Sequence, residues 1–168
     1  MRHPFLILAI IGSLGAQAPT PPADPLAPVR FLVGEWQGDG DGRPGQSSGA
    51  ATFSFDLQGK ILVRRSHADY PAANGRPASH HEDLMPLFVE SGQLNALFLD
   101  NEGHVIRYLV TSVPEGVTFT SEPGQGPRFR LTYLRKSETL ATLRFEIAPP
   151  GKPEAFSTYL EAVTRKVK

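Results

Sequence analysis

From Phe31 to the C-terminus, short runs of β-forming residues alternate with glycine, proline, Asn and Asp turns at intervals of roughly 8–12 residues. That rhythm leaves no room for a long amphipathic helix and is the spacing of a β-sandwich or β-barrel. Ala51 to Leu57 alternates cleanly, with Phe53, Phe55 and Leu57 on one face. Gln58-Gly59 turns into Lys60 to Tyr70, and residues 71–77, with the turn signal Asn74-Gly75, form a loop. His80 to Val89 follows, where Pro86 marks a bulge or a sheet edge. Ser91-Gly92 leads into Gln93 to Leu99, and Asp100 to Gly103 makes a hairpin turn into His104 to Thr111. Val117 to Ser121, Arg128 to Leu134, Thr139 to Ile147 and Phe156 to Val167 complete about ten strands. The last segment also reads as a turn or two of helix. Hairpin-length connections predict an all-β fold, a single antiparallel up-and-down barrel over residues 30–168. Closure removes the unpaired edges an open sheet exposes; an open sandwich is the alternative.

The N-terminal region predicts export. Arg2 and His3 precede an apolar run from Phe5 to Ile11, and small residues follow to Ala18, so residues 1–18 read as a signal peptide. The run is well short of the roughly 20 apolar residues that cross a bilayer. Cleavage follows Ala16 or Ala18, and the expected location is the periplasm or the exterior. Residues 19–29 carry so many prolines that they read as a tether to the domain. Lys and Arg number 17 against 17 Asp and Glu, without a basic cluster, which argues against nucleic acid or an anionic membrane as partner. The chain has no cysteine, so disulfides, thiol catalysis and cysteine-bound zinc are excluded.

The stretch Phe31 to Gly42 reads Phe-Leu-Val-Gly-Glu-Trp-Gln-Gly-Asp-Gly-Asp-Gly and holds the single tryptophan, Trp36. Glycines at 38, 40 and 42 leave a bare row beside the indole, suited to sharp strand curvature or close backbone approach. This Gly-Glu-Trp-Gln-Gly segment after a Phe-Leu-Val lead-in resembles the first strand of calycin-type barrels. It is most similar to nitrobindin-like and fatty-acid-binding-protein-like bacterial domains of unknown function. The resemblance implies a barrel around an apolar pocket that binds or carries a small hydrophobic molecule. It also implies that Trp36 closes one end beneath a basic residue of the last strand, Arg165 or Lys166, with Arg165 the first choice. Nitrobindin-like proteins hold haem through a histidine near the start of the last strand. Here no histidine follows His104, and Tyr159 stands in that neighbourhood; the resemblance therefore does not carry haem over as a cofactor.

Candidate binding residues are Trp36, Arg65, His67, His81, His104 and Tyr108. His80-His81-Glu82-Asp83 is the densest polar cluster, and neighbouring strand residues point to opposite faces. His81 with Asp83, or His80 with Glu82, can share a face, as can His67 with Asp69. Such groups facing one another across two strands suit a divalent ion, but their spacing matches no metal signature. Arg64 and Arg65 split across the wall. An inward arginine, Arg65 in this reading, meets a ligand carboxylate in calycin-type pockets; a surface pair with Glu82 or Asp83 is the other reading. His104, Ile106, Tyr108 and Val110 share a face that mixes aromatic and polar groups as a pocket does. No Gly-x-Ser-x-Gly elbow and no phosphate-binding glycine loop occurs. The expected function is binding of a small apolar ligand without catalysis. The alternatives are a haem or metal barrel using the pocket histidines, and a structural or interaction module of the envelope.

Overall fold

The computed structural model describes residues 24–38, 48–72, 75 and 77–168. The expected signal, residues 19–23, Gly40, Gly42 and Asn74 lie outside the described residues. Ten strands run β1 (Gly34–Gly38), β2 (Ser48–Asp56), β3 (Ile61–Tyr70), β4 (Ser79–Glu90), β5 (Gln93–Asp100), β6 (Val105–Val113), β7 (Gly116–Ser121), β8 (Arg128–Arg135), β9 (Leu140–Ala148) and β10 (Ser157–Lys166). Each pairs antiparallel with its sequence neighbours, and β1 pairs with β10 to close the barrel. The architecture is the expected closed up-and-down barrel, not a sandwich, and the last segment is a strand. Among the described residues no helix is long and apolar enough to cross a membrane.

Period-two alternation sends one face of every strand inward. Phe53, Leu62, Met85, Leu87, Ala96, Val110, Val117 and Phe119 form a continuous core at 3% exposure or less. Each large apolar side chain so buried stabilises the fold by about 1.5–3 kcal/mol.

One end of the barrel is plugged by a 3-10 helix, Ala27–Leu32. Leu26, Val29 and Leu32 recur every third residue, which is the 3-10 period, so all three fall on one face and are buried. Residues 24–29 are thus part of the domain rather than of a tether. Proline does not forbid this, because Pro28 sits in the first turn, where no intrahelical N–H is needed. Trp36 stands above the plug and donates its indole N–H to the Leu32 carbonyl at 2.7 Å. The basic residue over the indole is Lys166, with Nζ 5.0 Å from the ring centroid and 3.2 Å from the Phe31 carbonyl it donates to. Register explains why it is not Arg165. Lys166 lies opposite Trp36 and shares its face, whereas Arg165 lies opposite Gln37. Gly34 is dictated twice, by φ of +128° and by the Lys168 carbonyl, which stands where a Cβ would collide with it.

Pro86 marks neither a bulge nor an edge. β4 lies between β3 and β5, and the β4–β5 ladder lapses at Met85 and Pro86 while the pairs on either side keep one register. The missing proline N–H costs a local gap in the ladder and no shift.

Candidate functional site

The polar chemistry of this chain concentrates on β3 and β4, where neighbouring residues separate onto the two faces of the wall. Arg64, Ser66 and Ala68 lie opposite Met85, Asp83 and His81, and this row faces the lumen. Arg65, His67 and Asp69 lie opposite Leu84, Glu82 and His80 on the outside. The structure therefore brings Arg64, not the sequence candidate Arg65, into the barrel. It also separates His81 from His67.

The inward set is tightly buried. The Arg64 side chain is 11% exposed and that of Asp83 is 3% exposed, with Nη1 and Oδ1 3.3 Å apart. Arg64 Nη2 donates to Ser66 Oγ at 2.9 Å, and Ser66 Oγ donates to Asp83 Oδ2 at 3.0 Å. Arg64 Nε and Asp83 Oδ1 are buried with no hydrogen-bond partner among the described residues. Burial alone would lower the pKa of Arg64, but the charges that face it, on Tyr133 once ionised, on Asp83 and on Tyr108 once ionised, outweigh burial and raise the value. Burial pushes the Tyr108 and Tyr133 hydroxyls well above the ordinary phenol range, so both are present as O–H donors.

The lumen around this set is aromatic. Phe53 meets Tyr133 edge-on at 5.8 Å, Tyr133 meets Phe119 at 6.0 Å, and Phe119 meets Tyr108 at 6.5 Å. Towards the other end Phe98, Ile106, Phe129, Leu143 and Phe145 belong to the inward rows yet are only partly buried. These inward apolar side chains pack against the core and keep part of their surface exposed. His81 stacks on Phe98 at 6.4 Å, with Nδ1 3.1 Å from Glu102 and Nε2 3.8 Å from Asp83. Tyr159 stands in the bulge between Thr158 and Leu160, 67% exposed, its ring edge-on to Phe145.

The remaining candidates distribute as follows. Trp36 belongs to the floor and Tyr108 to the lumen, buried in both cases. His104 precedes β6 and is 60% exposed, with its backbone N–H and ring held by Asp100 at 2.8 and 2.7 Å. The Asp100 carboxylate on the ring raises the His104 pKa. Arg65 and His67, with Thr52, Glu82, Leu84 and Asn101, line an open hollow of 490 Å³ on the outer face of the wall. Beside it His80 bridges Asp69 at 2.6 Å and Glu82 at 3.2 Å, with His67 stacked on it at 6.1 Å. The Asp69 and Glu82 hydrogen bonds raise the His80 pKa. Among the described residues no group of three or more His, Asp and Glu is arranged to hold a metal ion.

Sequence reasoning missed Arg64, Ser66 and Tyr133 as lumen residues. One cross-strand pairing would have found the first two, because Phe53 is unmistakably core and lies opposite Arg64. No protein-family model and no curated protein matches the chain. The architecture itself, a closed ten-stranded antiparallel barrel with an apolar interior, is consistent with a calycin-like fold.

Proposed function

We propose that this protein is an exported calycin-like barrel, of the nitrobindin-like or fatty-acid-binding-protein-like kind, that binds a small, mostly apolar molecule without transforming it. One observation carries the reading: a buried Arg64–Ser66–Asp83 set inside an otherwise aromatic and aliphatic lumen, in which Arg64 Nε and Asp83 Oδ1 have no hydrogen-bond partner among the described residues. A buried ion pair is frequently less stabilising than apolar residues of the same volume, so a barrel that needed only a core gains nothing from it. A small polar group set in an apolar concavity is how ligand sites fix the orientation of their cargo. Haem is not the cargo proposed, because no histidine follows His104.

Native mass spectrometry of the tag-free protein, paired with its absorption spectrum and with titration by the apolar fluorophore N-phenyl-1-naphthylamine, tests this. A co-purified mass lost on denaturation, or saturable uptake of the fluorophore, is the expected result. A clean apo mass together with no uptake would overturn it.

A further inference from the structure

We propose that the hollow on the outer wall of β2–β5 is a second binding site, for a small organic monocarboxylate with an apolar body, and that Arg65 holds its carboxylate. This site is separate from the lumen and does not depend on the reading above. Its first basis is charge. Three acidic residues line the hollow, Glu82, Asp83 and Asp100, and each already faces a basic group. Glu82 meets His80 Nε2 at 3.2 Å, Asp83 meets Arg64 Nη1 at 3.3 Å, and Asp100 meets His104 Nδ1 at 2.7 Å. Arg65 is the reverse case, a guanidinium in the hollow with neither an ion pair nor a hydrogen bond among the described residues. The charge left to be matched in the hollow is therefore positive. A guanidinium presents its N–H groups in pairs, and a carboxylate accepts two at once.

Shape supplies the second basis. The hollow measures 490 Å³, which is the size of a small-molecule site. One outward row crosses it, with Thr52 opposite Arg65, Arg65 opposite Leu84, and Leu84 opposite Leu99. Directly opposed residues on neighbouring strands stand about 4.5–5.5 Å apart at Cβ, so a carboxylate on Arg65 has two half-buried leucines within reach of the body behind it. The Thr52 hydroxyl, exposed beside Arg65, is a further donor for the same anion. A neutral molecule forgoes the guanidinium, and a bare inorganic anion leaves the leucines uncovered. A doubly charged anion also meets Glu82, which lines the same hollow one row away.

The test is NMR of ¹⁵N-labelled full-length protein at pH 6, where a simple carboxylic acid is ionised, titrated with 3-phenylpropionate, 3-phenylpropanamide and acetate. The phenylpropionate is expected to move the Arg65 Nε–H resonance saturably and to leave that of Arg64 in place. The amide, which lacks the charge, and acetate, which lacks the body, are each expected to bind about tenfold or more weaker. Arg65→Gln is expected to weaken phenylpropionate by a similar factor, read on the ring signals of His67, which lines the same hollow. Arg65 is exposed and unpaired, so the fold does not depend on it. Amide or acetate binding as tightly as phenylpropionate would overturn the inference, and so would an unchanged affinity in Arg65→Gln. Absence of any saturable shift below about 10 mM ligand would overturn it as well. Movement of Arg64 in place of Arg65 would assign the acid to the lumen, which contradicts this site and leaves the proposed function standing.

Discussion

On β3 and β4 the inward row of Arg64, Ser66 and Asp83 and the outward row of Arg65, His67 and Glu82 use similar residue types at similar heights in the barrel. Their energetic circumstances are opposite. The outward groups keep much of their water, so their pairs contribute little and tolerate replacement. The inward groups have lost theirs and depend on one another, which makes each of them costly to remove singly. Polar residues that a fold retains in the second setting, where apolar ones would serve stability as well, are the better guide to function.

The largest test of that contrast is Asp83→Leu, which leaves the Arg64 guanidinium buried beside no carboxylate. A loss of about 3–5 kcal/mol is expected in urea unfolding. The double variant Arg64→Met with Asp83→Leu is expected to recover most of it, whereas Glu82→Leu, one residue away and outside, is expected to change stability by about 0.5 kcal/mol or less. A double variant as unstable as the single one would contradict the pairing. Next in size is Ser66→Ala, which withdraws an acceptor from Arg64 and a donor from Asp83; about 1–3 kcal/mol is expected on the same unfolding curve.

These two variants also mark where sequence reasoning stopped. Strand positions and the closed topology were legible because turn residues and runs of β-forming residues repeat the same message along the chain. The faces of β3 and β4 were not. Arg64-Arg65 and His80-His81 put identical residues on both walls, so alternation alone carries no sign there, and only the register against Phe53 and Met85 settles it. The plug was missed for a different reason. Its prolines read as breakers, while the apolar residues at 26, 29 and 32 follow the 3-10 period rather than the α or β ones.

Smaller effects belong to the outer wall. Arg144 donates from Nε to Glu161 at 2.7 Å, and both side chains are more than 40% exposed. Arg144→Gln is expected to cost about 1 kcal/mol or less by thermal or urea unfolding. A cost approaching that of Asp83→Leu would erase the inside–outside distinction. His80 gives the smallest effect, read through pH. Its folded pKa is raised above the ordinary 6.5 by Asp69 and Glu82. The stability it contributes is therefore fully present below 6.5 and is lost as pH rises through the raised value. The melting-temperature difference between wild type and His80→Asn is expected to shrink from pH 6 to pH 9, and His80 ring signals in NMR to titrate above 6.5. Titration at or below 6.5 would contradict the contacts.

The most direct measurement is NMR of the arginine Nε–H groups in ¹⁵N-labelled protein during titration with 1-decanol. Ligand taken into the lumen moves the Arg64 Nε–H resonance, a donor with no hydrogen-bond partner among the described residues, and leaves that of Arg65 on the outer wall in place. A shift at Arg65 with Arg64 unmoved would put binding in the outer hollow and contradict the account, and so would saturating decanol that moves neither.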